Sequence, residues 1–132
     1  ESGSLQNVLD LKNNLEFVWS GSGQKIVYSY ADFSTQEKGL YVMDLADRIE
    51  TVLGLSLNAS GCVWSIDNKT VYCADKSSFV SFDTSTTSST QPKEVISSNS
   101  SVHAVNLMLN GTEDYFIFQN SKDGKLYGLK FN

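Results

Sequence analysis

Four strand signals recur in one order three times along the chain, at a spacing of about 44 residues, and no other feature restricts the fold as much. Periods of this size belong to arrays of supersecondary units that bury their apolar faces only against their neighbours. The first signal is a β-rich triplet, Asn7-Val8-Leu9, which returns as Thr51-Val52-Leu53 and as Glu94-Val95-Ile96. The second is Phe17-Val18-Trp19-Ser20, matched by Cys62-Val63-Trp64-Ser65 and by Val105-Asn106-Leu107-Met108. A turn follows each copy: Gly21-Ser22-Gly23, then Asp67-Asn68, then Asn110-Gly111. These residue types tolerate the positive φ that a tight hairpin requires. The third signal is Lys25-Ile26-Val27-Tyr28-Ser29-Tyr30, echoed by Lys69-Thr70-Val71-Tyr72-Cys73 and Tyr115-Phe116-Ile117-Phe118. The fourth is Leu40-Tyr41-Val42-Met43-Asp44, echoed by Phe79-Val80-Ser81-Phe82-Asp83 and Leu126-Tyr127-Gly128-Leu129.

A two-helix repeat of similar length needs apolar residues at 3.6-residue spacing, which is absent. Short runs of Val, Ile, Leu, Phe and Tyr among many Ser and Thr favour strands. With 40% hydrophobic and 19% charged residues, the chain is not of the charge-rich kind that stays disordered. The sequence therefore predicts one all-β domain over residues 1–132, in three four-stranded repeats at about 5–47, 48–91 and 92–132. Four strands per repeat of this length make the blade of a β-propeller.

Trp-Ser, a Gly/Asn/Asp turn, Lys-Ile-Val-Tyr and then Leu-Tyr-Val-Met-Asp-Leu resemble the WD-like repeat of TolB-type propellers. The usual motif of that family is a Trp-Ser-Pro-Asp-Gly turn followed by an apolar strand. The resemblance covers nearly the whole chain and is clearest in the first two repeats. The third repeat lacks the Trp, and none carries the Pro. The resemblance implies a non-enzymatic module that recognises protein or peptide with loops around a channel mouth. Propellers of this kind also stand beside hydrolase domains, so an accessory role to a hydrolase is the alternative.

With strands named a to d from the propeller centre outward, the chain reads d-a-b-c three times. The last blade then lacks its outer strand, and three blades fall short of the 4 to 8 typical of closed rings. An open edge leaves unpaired N–H and C=O groups. Residues 5–10 of one copy, through Leu5, Val8 and Leu9, are expected to pair with residues 125–131 of a second, through Leu126, Leu129 and Phe131. Two such junctions about a two-fold axis close a six-bladed homodimer. A truncated or designed half-propeller with no function of its own is the competing reading.

Fifteen acidic against ten basic residues give a net charge of -5, and no Lys/Arg cluster exceeds a pair. That composition argues against binding a nucleic-acid backbone. No apolar run approaches the ~20 residues that span a bilayer, so no membrane insertion is expected, and residues 1–20 lack a signal-peptide pattern. Glu1-Ser2-Gly3-Ser4 reads as a cloning remnant or a linker, and residues 84–91 as a polar Ser/Thr loop.

Cys62 and Cys73 lie at equal distances from the Asp67-Asn68 turn and so face each other on one side of a hairpin. Opposed Cβ atoms stand ~5 Å apart where a disulfide wants ~3.8 Å, and both a bridge and a pair of buried thiols fit. A bridge would imply an oxidising compartment, and with it a periplasmic or cell-surface setting. Two Cys without clustered His fall short of a zinc site. Trp19 and Trp64 share one slot in successive repeats, as packing between blades requires. His103, the single histidine, has no Ser or Cys partner at a recognisable spacing. Asp44 and Asp83 follow apolar strands and read as turn residues that accept local N–H groups. No cofactor motif, metal set or nucleophile elbow is present, so no cofactor and no catalysis are expected. The loops expected on one propeller face put Tyr30, Asp32, Phe33, Asp75, Lys76 and His103 forward as ligand contacts.

Overall fold

The computed structural model describes residues 3–85 and 91–132. Glu1, Ser2 and most of the expected polar loop, residues 86–90, lie outside the described residues. Within each sheet, consecutive strands pair antiparallel. The first sheet contains β1 (Asn13–Trp19), β2 (Lys25–Ala31), β3 (Lys38–Asp44) and β4 (Glu50–Leu53). The second contains β5 (Cys62–Trp64), β6 (Thr70–Asp75), β7 (Ser78–Asp83) and β8 (Lys93–Ser97). The third holds β9 (Ala104–Leu109), β10 (Tyr115–Asn120) and β11 (Leu126–Lys130), with β11 at its edge. A 3-10 turn at Ala59–Gly61 joins the first sheet to the second.

The hairpin between the first two strands of each sheet is closed in the same way. Ser20, Ser65 and Asn110 each donate their backbone N–H to the carbonyl of the residue five positions on, namely Lys25, Thr70 and Tyr115. In each case the side-chain oxygen of the first residue also accepts that residue's N–H, at 3.1, 3.0 and 2.9 Å. The fourth position of the turn is left-handed in all three, with φ of 72° at Gly23, 60° at Asn68 and 53° at Glu113. Asn68 and Glu113 then reach the preceding sheet: Asn68 Oδ1 accepts from the Ser22 N–H, and Glu113 Oε1 from the Ile66 N–H. The turns thus tie each sheet to the one before it.

Two apolar layers hold the sheets face to face. Val27, Leu40, Val42 and Leu53 of the first sheet pack on Cys62, Trp64, Val71, Cys73, Val80 and Phe82 of the second. The Trp64 indole N–H donates to the Val18 carbonyl at 3.0 Å, so its one polar group is satisfied within the layer. On its other face the second sheet brings Phe79 against Phe116 and Phe118 of the third, with Phe79 and Phe116 stacked at 4.5 Å. Phe131, just beyond β11, stacks on Phe116 at 4.0 Å.

Two details depart from the sequence reading. Asn7-Val8-Leu9 forms no strand, and the Asn7 and Val8 carbonyls accept instead from the Arg48 guanidinium. The third copy of the Trp slot is Leu109, not Leu107: the shared turn begins at Asn110, and a bulge in β9, where Asn106 has φ of 54°, shifts the register.

Candidate functional site

The three sheets meet at the 3-10 turn, which touches β1, β2, β6 and β9. Beside it opens a cavity of about 490 Å³. Gly61 permits the turn to approach β9, because a Cβ there would stand 3.3 Å from the Ala104 carbonyl. Every sheet contributes to the wall: Lys38 from the first, Asp75 and Lys76 from the β6–β7 turn of the second, and His103 from the approach to β9. Leu57, Ala74, Val102 and Ala104 add apolar surface.

Backbone geometry fixes the charged residues at this rim. Lys76 and His103 both have left-handed φ, 55° and 42°, which costs a non-glycine residue energy and persists only where neighbours enforce it. Here they do: the Lys76 carbonyl accepts the Val102 N–H and the His103 carbonyl accepts the Ser121 N–H, each at 3.0 Å. The Lys38 ammonium donates to Asn58 Oδ1 at 2.7 Å. Below them the Ala59 N–H donates to the buried Ser29 hydroxyl at 2.9 Å, securing the 3-10 turn on the first sheet.

Of the six residues put forward as ligand contacts, Asp75, Lys76 and His103 line this cavity, and Tyr30, Asp32 and Phe33 do not. Tyr30 belongs to a tyrosine stack on the far face of the first sheet, 4.8 Å from Tyr41 and 6.2 Å from Tyr28, with the Lys12 ammonium 4.5 Å from its ring centre. Burial, then the Glu50 carboxylate that accepts its hydroxyl, pushes the Tyr28 phenol well above its ordinary value. Burial and Tyr30 push Tyr41 up to about 12. Asp32 accepts from the Ser34 hydroxyl and from the Ser34 and Thr35 N–H groups, which hold its carboxyl at about 2. Phe33 is exposed. Lys38 and Asn58, absent from the sequence-based set, come to the cavity through the packing of the first sheet on the 3-10 turn. Lys38 is the first residue of β3.

Cys62 and Cys73 are directly opposed on β5 and β6, buried, and joined by a disulfide. Asp44 and Asp83 accept the Ala46 and Ser85 N–H groups, each at 2.9 Å. Among the described residues no group of three His, Cys, Asp or Glu side chains could hold a metal ion.

The two ends of the sheet array form a second candidate surface. Trp64, Val71 and Phe82 are cross-strand neighbours that face the first sheet, and Leu109, Phe116 and Leu129 face the second sheet in the same way. The corresponding trio of the first sheet is Trp19, Ile26 and Met43, on the face away from the second sheet. There Trp19 is 43% and Phe17 53% exposed, whereas Trp64 is 6% exposed. Residues 6–12 lie across part of this face, with Arg48 donating to the Val8 carbonyl at 2.8 Å, and leave two clefts of about 410 and 370 Å³. Leu5 is exposed, and Val8 and Leu9 are half-buried. At the other end, the third sheet turns Met108, 49% exposed, and Leu126, 69% exposed, outward, while Leu129 and Phe131 join the inner layer. No family model matches the chain, and no curated protein matches it.

Proposed function

We propose that this chain is a non-enzymatic binding scaffold of the TolB-type propeller kind. Its three sheets are three blades, and two copies close a six-bladed ring whose loop face recognises protein or peptide. The observation that carries this reading is the pair of unmatched end faces. Every inner sheet face is covered by a neighbour, yet the outer face of the first sheet leaves Trp19 and Phe17 half in water and that of the third leaves Met108 and Leu126 there. Exposed apolar patches of this kind mark association surfaces.

The two end faces are also the right kind to meet. Met108 and Ile117 neighbour each other in the third sheet as Val18 and Val27 do in the first. A second copy placed on the third sheet therefore brings Trp19 to Met108 as Trp64 comes to Val18. Residues 5–10, through Leu5, Val8 and Leu9, then add to the edge of β11 as a fourth strand, as β4 and β8 do in the other sheets. The disulfide supports a periplasmic or cell-surface setting.

Size-exclusion chromatography with light scattering tests the ring. The expected mass is twice the 14.6 kDa of one chain, and Trp19→Lys is expected to reduce it to a single chain. A stable, folded single-chain species of the unmodified protein would overturn the two-copy ring.

A further inference from the structure

We infer that the cavity where the three sheets meet binds a carboxylate group carried on a peptide, with Lys38 and Lys76 supplying the charge. This rests on the binding-scaffold reading above and names its ligand. The chain carries a net charge of -5 with histidine neutral, yet two lysines stand at this rim against Asp75, the one acid among the described lining residues. The sign of the charge is locally inverted, as it is where a site gathers an anion. The Lys38 ammonium is held by an amide oxygen, that of Asn58, so this contact leaves its charge uncompensated. The Lys76 backbone is held by its own carbonyl, which accepts the Val102 N–H, so the point from which its side chain extends is set before any ligand arrives.

The remaining lining selects among anions. Asp75 beside Lys76 opposes a dianion such as phosphate more than a single carboxylate. Among the described residues no arginine fork lines the cavity, although a planar fork is the feature that favours phosphate recognition. Leu57, Val102 and Ala104 offer apolar surface for a side chain next to the carboxylate. The volume of about 490 Å³ falls within the range of sites that enclose a small ligand or the end of a peptide. A C-terminal carboxylate and an acidic side chain share this chemistry.

Fluorescence anisotropy on the 132-residue chain separates them. The probes are Gly-Gly-Val-Leu with an uncharged BODIPY label on its N-terminus and a free C-terminus, its C-terminal amide, and the amide of Gly-Glu-Val-Leu, each with the same label. Saturable binding of the free acid or of the glutamate peptide, with the neutral amide at least about tenfold weaker, is the expected result. Lys38→Met and Lys76→Met are each expected to weaken binding about tenfold, and Lys69→Met, on the turn between β5 and β6, to leave it unchanged. Near-ultraviolet circular dichroism checks that each variant is folded. Equal binding of acid and amide, no saturable binding of any probe, or folded lysine variants that bind like the parent would overturn the inference. Light scattering on the same samples keeps the two readings apart. A dimer without carboxylate preference overturns the ligand alone, and a single chain that keeps the preference overturns the ring alone.

Discussion

Reducing the Cys62–Cys73 bridge removes a cross-link while leaving both sulfur atoms in place, so the loss it causes can be worked from chain entropy. The cysteines are 11 residues apart, and closing a loop of that size in the unfolded chain is worth about 3 kcal/mol in the chain-entropy model. The β5–β6 hairpin is also held by the Ser65–Thr70 bonds, and any of that turn surviving in the unfolded chain lowers the figure toward about 2 kcal/mol. Against a total stability of about 5–15 kcal/mol this is a large share, and it lowers the melting temperature by roughly 10 °C. Urea titrations followed by tryptophan emission, with and without a phosphine reductant, measure it, because buried Trp64 lies on β5 with Cys62. The double variant Cys62→Ala/Cys73→Ala is expected to fall further, by about 1–2 kcal/mol, since it also removes buried volume. Identical stability with and without reductant, or two titratable thiols in the untreated folded protein, would refute the reasoning.

Two further outcomes follow from the tyrosine face of the first sheet. Gly39 leaves room for the phenol of Tyr41, which a Cβ would strike; Gly39→Ala is expected to cost about 1–2 kcal/mol in thermal unfolding by breaking the Tyr30–Tyr41 stack, and an unchanged midpoint would contradict this. Tyr28 and Tyr41 have folded values above the ordinary 10, so the stability they contribute is complete below about pH 10 and is lost as pH rises through the folded values. In phenolate absorbance titrations of the six tyrosines, these two should lose their protons last in the folded protein and together with the rest in denaturant. Simultaneous titration near pH 10 without denaturant would refute that.

The strand pattern was legible because two local signals agree. Alternating apolar residues such as Val27, Leu40 and Val42 set which side chains turn inward, and Ser, Gly and Asn fix the hairpins between them. Two features were not legible. The β9 bulge precedes Leu109, which takes the slot assigned to Leu107; Asn106 is a residue type that tolerates the left-handed φ found there, but the strand pattern around it calls for extended backbone. The cavity was half visible: Asp75 ends β6, Lys76 follows in its turn and His103 precedes β9, whereas Lys38 at the start of β3 and Asn58 ahead of the 3-10 turn join them through the stacking of sheets. Tyr30 was misplaced for a related reason, since an aromatic at a strand end reads alike whether it points to a loop face or to a stack.

Cross-linking tests the ring most directly, because it asks which surfaces meet and not merely how many chains associate. Trp19→Cys and Met108→Cys variants are prepared separately and mixed under mild oxidation. In a closed ring of two copies, position 19 of one chain stands against position 108 of the other, while the two copies of either position lie at opposite junctions. A covalent dimer that forms in the mixture and in neither variant alone is the expected result. No cross-link in the mixture, or equal cross-linking within each single variant, would contradict the head-to-tail closure.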